Sequence, residues 1–291
     1  MAVRRGGPAW GRKGGGVLME FALSSHLFVR QRLTSHVLDQ IRAAGFDRIE
    51  IYAARQHFDY HDRNQVRDVA QWFTDHGVSL HSVHAPLFAD TDWGRLGGLA
   101  VSVAYLEKRL RIDSMDEIKR VLEIAEQVPF RYLVVHIGLP EETYDLRKFD
   151  AAFTSLEHLK IFARARGAEV LLENIPNDLS TPERLVAFLN YTRLDLKICF
   201  DTGHAHLGSG VGPAFQALKE RIASTHVHDN HRVKDDHLLP FEGGIDWVET
   251  VRDFRQRDGQ FPTLFELKDY GAGVSNLARV RQVIERMEAI S

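Results

Sequence analysis

Five apolar runs in this chain end on an acid or a histidine: Ser82-Val83-His84, Leu133-Val134-Val135-His136, Val170-Leu171-Leu172-Glu173, Ile198-Cys199-Phe200-Asp201 and Thr263-Leu264-Phe265-Glu266. Short β-branched and aromatic runs bounded by turn residues read as buried strands. A carboxylate or imidazole closing such a strand is costly to bury unless it binds something. His204, His226, Asp235 and His237, at or just past further strand ends, enlarge the set. All are nitrogen or oxygen donors with no thiolate among them, which suits Mn²⁺, Mg²⁺, Co²⁺, Fe²⁺ or Zn²⁺ and not a sulfur-rich structural zinc. Each residue alone has a plainer reading: a single buried histidine is more often a hydrogen-bonded core residue than a ligand, and Glu173 could pair with an arginine. The recurrence at successive strand ends is what points to a metal site.

The elements that position these residues alternate from Leu18 onward. Strands are predicted over Met19–Ser24, Arg48–Tyr52, Ser79–Ala85, Tyr132–Ile137, Glu169–Ile175, Leu196–Asp201, Ala223–His228 and Thr263–Lys268. Between them lie amphipathic stretches: Val37–Ala44, Val66–His76, Met115–Gln127, Phe149–Arg166, Pro182–Leu189, Ile245–Arg257 and Asn276–Ile290. Their apolar residues recur at three and four, as in Ile118, Val121, Leu122 and Ala125. Gly45, Gly77 and Gly167 sit where helices should stop, and Thr181-Pro182 where one should start. Eight strands with helical crossovers imply a single-domain α/β fold, a (β/α)8 TIM barrel over residues 18–291, whose active site lies at the C-terminal strand ends. The longest irregular piece, Phe88–Ile112, carries Trp93, Gly94, Gly97 and Gly98. It reads either as a loop with helix of its own around Leu99–Leu110 or as a lid over the site.

Bulk composition narrows the partners. Among 291 residues, 44% are hydrophobic and 26% charged, ordinary for a globular protein. A net charge of −3 is not the strongly basic balance that phosphate backbones reward. The single Cys199 excludes an internal disulfide and fits a reducing, cytoplasmic compartment. No apolar stretch reaches the roughly 20 residues of a membrane span. Residues 1–17, with Arg4, Arg5, Arg12 and Lys13 among glycines, are expected to be a disordered leader, the sharper alternative being a nucleic-acid-binding arm. A homo-oligomer is compatible with all of this.

His84-Ala85-Pro86-Leu87, Glu173-Asn174, Asp201-Thr202-Gly203-His204, His226-Val227-His228-Asp229-Asn230 and the segment from Asp235 to Gly243 resemble the xylose isomerase-like barrel superfamily. That superfamily holds sugar and sugar-phosphate isomerases and epimerases, and endonuclease IV-type enzymes that cut abasic DNA. The isomerase and epimerase pattern implies one divalent metal (Mn, Mg, Co or Zn) on Glu173, Asp201, His226 and Glu266. It makes Glu173 and Glu266 the catalytic proton carriers, with His204 contacting a small sugar substrate. The endonuclease pattern implies up to three zinc ions on those four residues plus His84, His136, His204, Asp235 and His237. Against the second pattern stand Ala-Pro-Leu-Phe after His84, where the endonucleases place a tyrosine-bearing intercalating loop, and the acidic net charge. The segment Glu242-Gly243-Gly244-Ile245-Asp246-Trp247 also resembles the isomerase branch, with Phe241 standing where glycine is common. The isomerase or epimerase reading is therefore preferred, with DNA as the alternative substrate. Beside the ligands, His228, Asp229, Asn230 and His231 read either as a polar loop or as substrate-binding groups. Trp93, Trp247 and Phe28 are candidates for an apolar wall against sugar carbons.

Overall fold

A computed structural model describes residues 19–257, 260–271 and 274–291; the expected leader lies outside them. Strands β1 (Phe21–Ser24), β2 (Arg48–Tyr52), β3 (Ser79–His84), β4 (Tyr132–His136), β5 (Glu169–Glu173), β6 (Lys197–Asp201), β7 (Ile222–His226) and β8 (Thr263–Phe265) pair in parallel in the order β7-β6-β5-β4-β3-β2-β1-β8. The circle closes between β7 and β8 through one bridge, Val227 to Phe265, in which the Val227 amide donates to Leu264 O at 2.8 Å. This is a (β/α)8 TIM barrel. Among the described residues no helix is long and apolar enough to cross a membrane.

Helices α1 (Ser35–Ala43), α2 (Arg63–His76), α3 (Lys108–Glu123), α4 (Leu146–Arg164), α5 (Pro182–Thr192), α6 (Thr202–Leu207), α7 (Val211–Leu218), α8 (Trp247–Arg255) and α9 (Val274–Glu288) lie between or after the strands. Their starts follow capping chemistry. Thr34, Asp62, Asp145, Thr181 and Asp246 each accept an amide of the first turn, satisfying donors that have no partner inside the helix. Gly77 ends α2 at φ 62°, a conformation glycine adopts without strain.

Two stretches differ from the sequence expectation. Leu99–Leu110 is mostly not helical. The chain there is tied back by Ala89 N–H to Leu99 O at 3.2 Å and Val101 N–H to Leu87 O at 2.9 Å. Helix α3 starts only at Lys108, where the Glu107 carboxylate accepts the Arg109 and Leu110 amides. Between β6 and β7, where a crossover was expected but no amphipathic stretch was legible, α6 and α7 supply it. Each is too short to show a helical period in sequence, and Gly208, Gly210, Gly212 and Pro213 interrupt the pattern.

The main core lies between sheet and helices, with Phe188, Phe200, Phe215 and Phe265 fully buried. Inside the barrel, Tyr132, Val134, Leu171, Cys199 and Ala223 form a separate plug below the strand ends. The ladder slips twice, between Ile49/Glu50 of β2 and between Ile198/Cys199 of β6, so that β3 and β7 each carry one extra residue. The extra residue of β3 is His81, whose Nε2 lies 3.3 Å from Ser224 Oγ.

Candidate metal centre at the C-terminal mouth

Each donor is delivered by a strand end or by the loop after it. His84, His136, Glu173, Asp201 and His226 close β3, β4, β5, β6 and β7, and Glu266 follows β8. The Glu266 amide is held 3.3 Å from Val227 O. Asp201 also caps α6, its Oδ1 accepting the His204 amide at 2.6 Å, and this tight turn folds the His204 ring back over the mouth. Gly203 is needed there because a Cβ would stand 2.0 Å from the His228 ring. After β7, Asp229 and Leu238 exchange both backbone bonds, at 2.8 and 2.9 Å. His237, at φ 47°, is fixed by its O accepting Lys268 N–H at 2.9 Å and by its Nδ1, 3.0 Å from Glu266 O. That hairpin carries Asp235 and His237 across the barrel opening.

The donors fall into overlapping sets whose ligand atoms lie within 4.8 Å of one another: Glu173, Asp201, His226 and Glu266; His84, His136 and Glu173; His84, His226 and Glu266; and His204, His228, Asp235 and His237. In the first set, His226 Nδ1 is 3.2 Å from Glu173 Oε1, 3.4 Å from Glu266 Oε2 and 4.0 Å from Asp201 Oδ2. Glu173 Oε2 turns the other way, 3.4 Å from His84 Nε2 and 3.1 Å from His136 Nε2. Asp235 Oδ2 lies between His204 Nε2 at 3.2 Å and His237 Nε2 at 2.9 Å.

Charge balance shows that the donors fit a cation. Glu50, Glu173, Asp201 and Glu266 are four buried carboxylates at one end of the barrel, which is tolerable only beside positive charge. Glu173 Oε1 and His226 Nδ1 are buried, face each other, and have no hydrogen-bond partner. Burial opposes ionisation of Glu173, yet His226, His136 and His204 around it hold its carboxyl well below the usual carboxylate range. Burial likewise opposes protonation of His204 and His226; Asp201, Asp235 and Glu173 raise the first, and Cys199 with Glu266, Glu50 and Glu173 raises the second, both well above the ordinary imidazole value. His237 is raised to about 9, Asp235 overcoming its burial. The metal-free site therefore holds protons where a divalent ion would hold charge, and binding one would release them.

A cavity of about 450 Å3 stands above the donors. Val29, Tyr52, Leu87 and Trp93 form one apolar wall, and Arg30, Lys234 and Lys268 reach its lining from other sides. Trp93, at φ 57°, comes from the Phe88–Ile112 stretch and stands 5.9 Å from the Tyr52 ring and 6.1 Å from the His26 ring. The other two aromatic candidates are elsewhere: Phe28 is buried in the main core, and Trp247 donates to Asp229 Oδ2 at 2.7 Å. Asp229 also accepts the Gly243 and Ile245 amides, and Asn230 donates to Gly203 O at 2.8 Å. These two residues are thus fixed within the fold. His228 is fully buried, its Nε2 3.0 Å from Asp201 Oδ2 and its ring stacked at 4.0 Å on His237, so its contacts are with the donor set and not with the cavity. His231 is exposed.

Sequence reasoning missed three side chains. Glu50 is buried at 3.2 Å from His226 Nε2. His26 lies in a 3-10 turn after β1, its ring 4.7 Å from Tyr52 and 5.0 Å from His237; burial, then its neighbour His237, keeps it far below the ordinary imidazole value and neutral. Tyr52 ends β2 and lines the cavity. Extending the strand-end rule to aromatic ends, and to the two residues beyond each strand, would have found His26 and Tyr52.

A family model described as a xylose isomerase-like TIM barrel matches residues 38–290. An uncharacterized protein of Methanocaldococcus jannaschii is 28% identical over 249 residues, 82% of this chain and 80% of that one. A probable endonuclease 4 of Natronomonas pharaonis is 28% identical over 156 residues, 47% of this chain and 55% of that one. Among solved structures, a D-tagatose 3-epimerase-like protein superposes with a TM-score of 0.74 at 22% identity, covering 92% of this chain and 97% of that one. The IOLI protein, crystallised with a zinc atom, gives 0.76 at 16%, covering 93% and 98%. At these identities the structural likeness is one of fold.

Proposed function

The chain belongs to the xylose isomerase-like TIM barrel family, and from that premise we propose that it is a divalent-metal-dependent isomerase or epimerase of sugars or sugar phosphates. One observation carries the reading. Two buried carboxylates from β5 and the end of β8, Glu173 and Glu266, flank one imidazole nitrogen at 3.2 and 3.4 Å on the floor of a small cavity. Glu173, Asp201, His226 and Glu266 would hold the cation. When bound, a divalent ion supplies Lewis-acid polarisation of a substrate carbonyl and a neighbouring hydroxyl, which acidifies the adjacent C–H.

The rest is the work of the chain. Glu173 and Glu266 take the proton from carbon and return it. If one carboxylate serves both carbons the outcome is isomerisation; if the two act from opposite faces it is epimerisation. His136 and His84, on the far oxygen of Glu173, keep that carboxylate ionised between turnovers. Trp93 and Tyr52 exclude water from the apolar side of the substrate, and His204 stands at the cavity lining to meet a hydroxyl. A volume of about 450 Å3 lies within the range of small-molecule sites.

A second reading, a multi-zinc phosphodiesterase acting on abasic DNA, is favoured by the donor sets beyond Glu173, Asp201, His226 and Glu266: His84 and His136 with Glu173, and His204, Asp235 and His237 with His228. Two measurements separate the readings. Protein loaded with Mn²⁺, Co²⁺ or Zn²⁺ and incubated with ketoses and their phosphates in deuterium oxide should exchange a carbon-bound proton, seen by NMR. Elemental analysis of protein purified without chelators should give about one ion per chain. Two or three zinc ions, no deuterium in any sugar and strand cleavage of abasic duplex would establish the hydrolase instead.

A further inference from the structure

We infer that Glu50, in the middle of β2, is a positioning residue that fixes the tautomer and aim of His226 and thereby sets how tightly the four-donor set holds a divalent cation. The inference rests on the metal-dependent reading above.

Glu50 is fully buried, and its Oε2 lies 3.2 Å from His226 Nε2 while accepting the Ser82 hydroxyl at 2.7 Å. Both bonds land on one oxygen, and Oε1 is buried with no partner. Among the described residues His226 is its one ion-pair partner; no lysine or arginine reaches it. A lone carboxylate facing a lone imidazole is weak support for a fold, so packing alone does not explain an acid there. The neighbouring geometry does. A neutral imidazole carries one N–H, and an ionised carboxylate only accepts. Glu173 and Glu266 face the ring at Nδ1, but of the two nitrogens only Nε2, toward Glu50, has a hydrogen-bond partner, so the Glu50 side draws the proton to Nε2. The lone pair of Nδ1 is then left facing Glu173 Oε1 at 3.2 Å and Glu266 Oε2 at 3.4 Å. An outer carboxylate behind a ligand histidine orients the ring and raises its basicity in this way. The backbone is arranged for the contact: the register slip between Ile49 and Glu50 brings Ser82 opposite Glu50, and the Ser82 hydroxyl pins the carboxylate.

Glu50→Gln is the test, because it keeps the shape and removes the acceptor-only character. An amide nitrogen turned to Nε2 demands the opposite tautomer, with the proton on Nδ1 where the cation must bind. Zn²⁺ and Mn²⁺ affinity would be measured on the full chain by competition with a chromophoric chelator, beside the thermal midpoint of the metal-free protein. Affinity is expected to fall about 10–100-fold, with the metal-free midpoint little changed. Ser82→Ala, which unpins the carboxylate but leaves its charge, is expected to weaken binding by a few-fold and serves as the test if Glu50→Gln does not fold. Histidine ¹⁵N NMR of the metal-free protein above the imidazole titrations supplies a readout that packing would not move. Wild type should show His226 protonated on Nε2, and Glu50→Gln, whose amide offers Nε2 a neutral oxygen or a nitrogen donor in place of a carboxylate, should show a weaker preference for that tautomer. Unchanged affinity in a folded Glu50→Gln or Ser82→Ala variant would overturn the inference. A wild type that binds no divalent ion would instead remove the proposed function itself.

Discussion

The two ends of the barrel interior obey opposite rules. Toward the base, Tyr132, Val134, Leu171, Cys199 and Ala223 pack as an apolar plug, and the polar His81 is matched to Ser224. At the mouth, Glu50 Oε1, Glu173 Oε1, His226 Nδ1 and His228 Nδ1 are buried without partners. Unsatisfied buried polar atoms each cost roughly 1–3 kcal/mol, so the mouth spends stability that the base and the outer core supply. The contrast teaches where to expect function: donors left without partners among well-packed neighbours are kept for something the chain itself does not provide.

The sharpest way to break the contrast is to change chemistry at the mouth without changing shape. Glu173→Gln and Glu266→Gln should each lower solvent-deuterium exchange into sugar by about 100-fold or more while circular dichroism stays native. Retained exchange in either variant removes its proposed role as proton carrier. The reciprocal change is Leu171→Ala in the plug. It should cost about 2–5 kcal/mol in denaturant unfolding and leave metal affinity nearly unaltered; a loss of affinity as large as that of the mouth variants would show the two ends are one unit.

Two histidines, His81 toward the base and His237 at the mouth, should answer pH in opposite senses when metal is absent. Burial lowers His81 to about 4. The unfolded chain therefore takes up a proton that the fold refuses, and stability falls as pH drops from about 6.5 toward 4, by about 3 kcal/mol for such a shift. His237 is raised to about 9 despite its burial, chiefly by Asp235. Its contribution is complete below about 6.5 and is lost as pH rises through 9. Unfolding of His81→Gln should flatten the acid limb and that of His237→Gln the alkaline one; the same limb moving in both would refute the division. The smallest effect belongs to the wall. Trp93→Ala should raise KM by a few-fold, about 1 kcal/mol, with kcat little altered.

How much of this was legible beforehand depended on whether a residue's role lay in its own segment. The acids and histidines closing apolar runs announced themselves because a buried strand seldom ends that way, and the eight strands and most crossovers were legible from period and punctuation. Glu50 was not. Ile49-Glu50-Ile51 reads as plain alternation with its polar residue turned to solvent, and only closure of the barrel makes that face the interior. Helix α7 was hidden by its eight residues, and the start of α3 by a Glu107 cap that no periodicity reveals. Phe241 is an instructive remainder. It occupies a position where glycine was expected, and its φ of 74° shows why glycine would suit it.

The seam between the seventh and eighth strands has one more consequence, for the order in which the molecule opens. Strand β8 is three residues long, pairs with β1 across some 240 positions of chain, and meets β7 at a single bridge. Its lips carry His226 and Glu266, whose nearest ligand atoms are 3.4 Å apart. Anything that joins those two side chains rivets the circle shut at its thinnest point. Amide hydrogens of Val227 and Glu266 should thus exchange more slowly with Zn²⁺ present than with chelator, while those along β4 and β5, which share five register pairs, stay as they were.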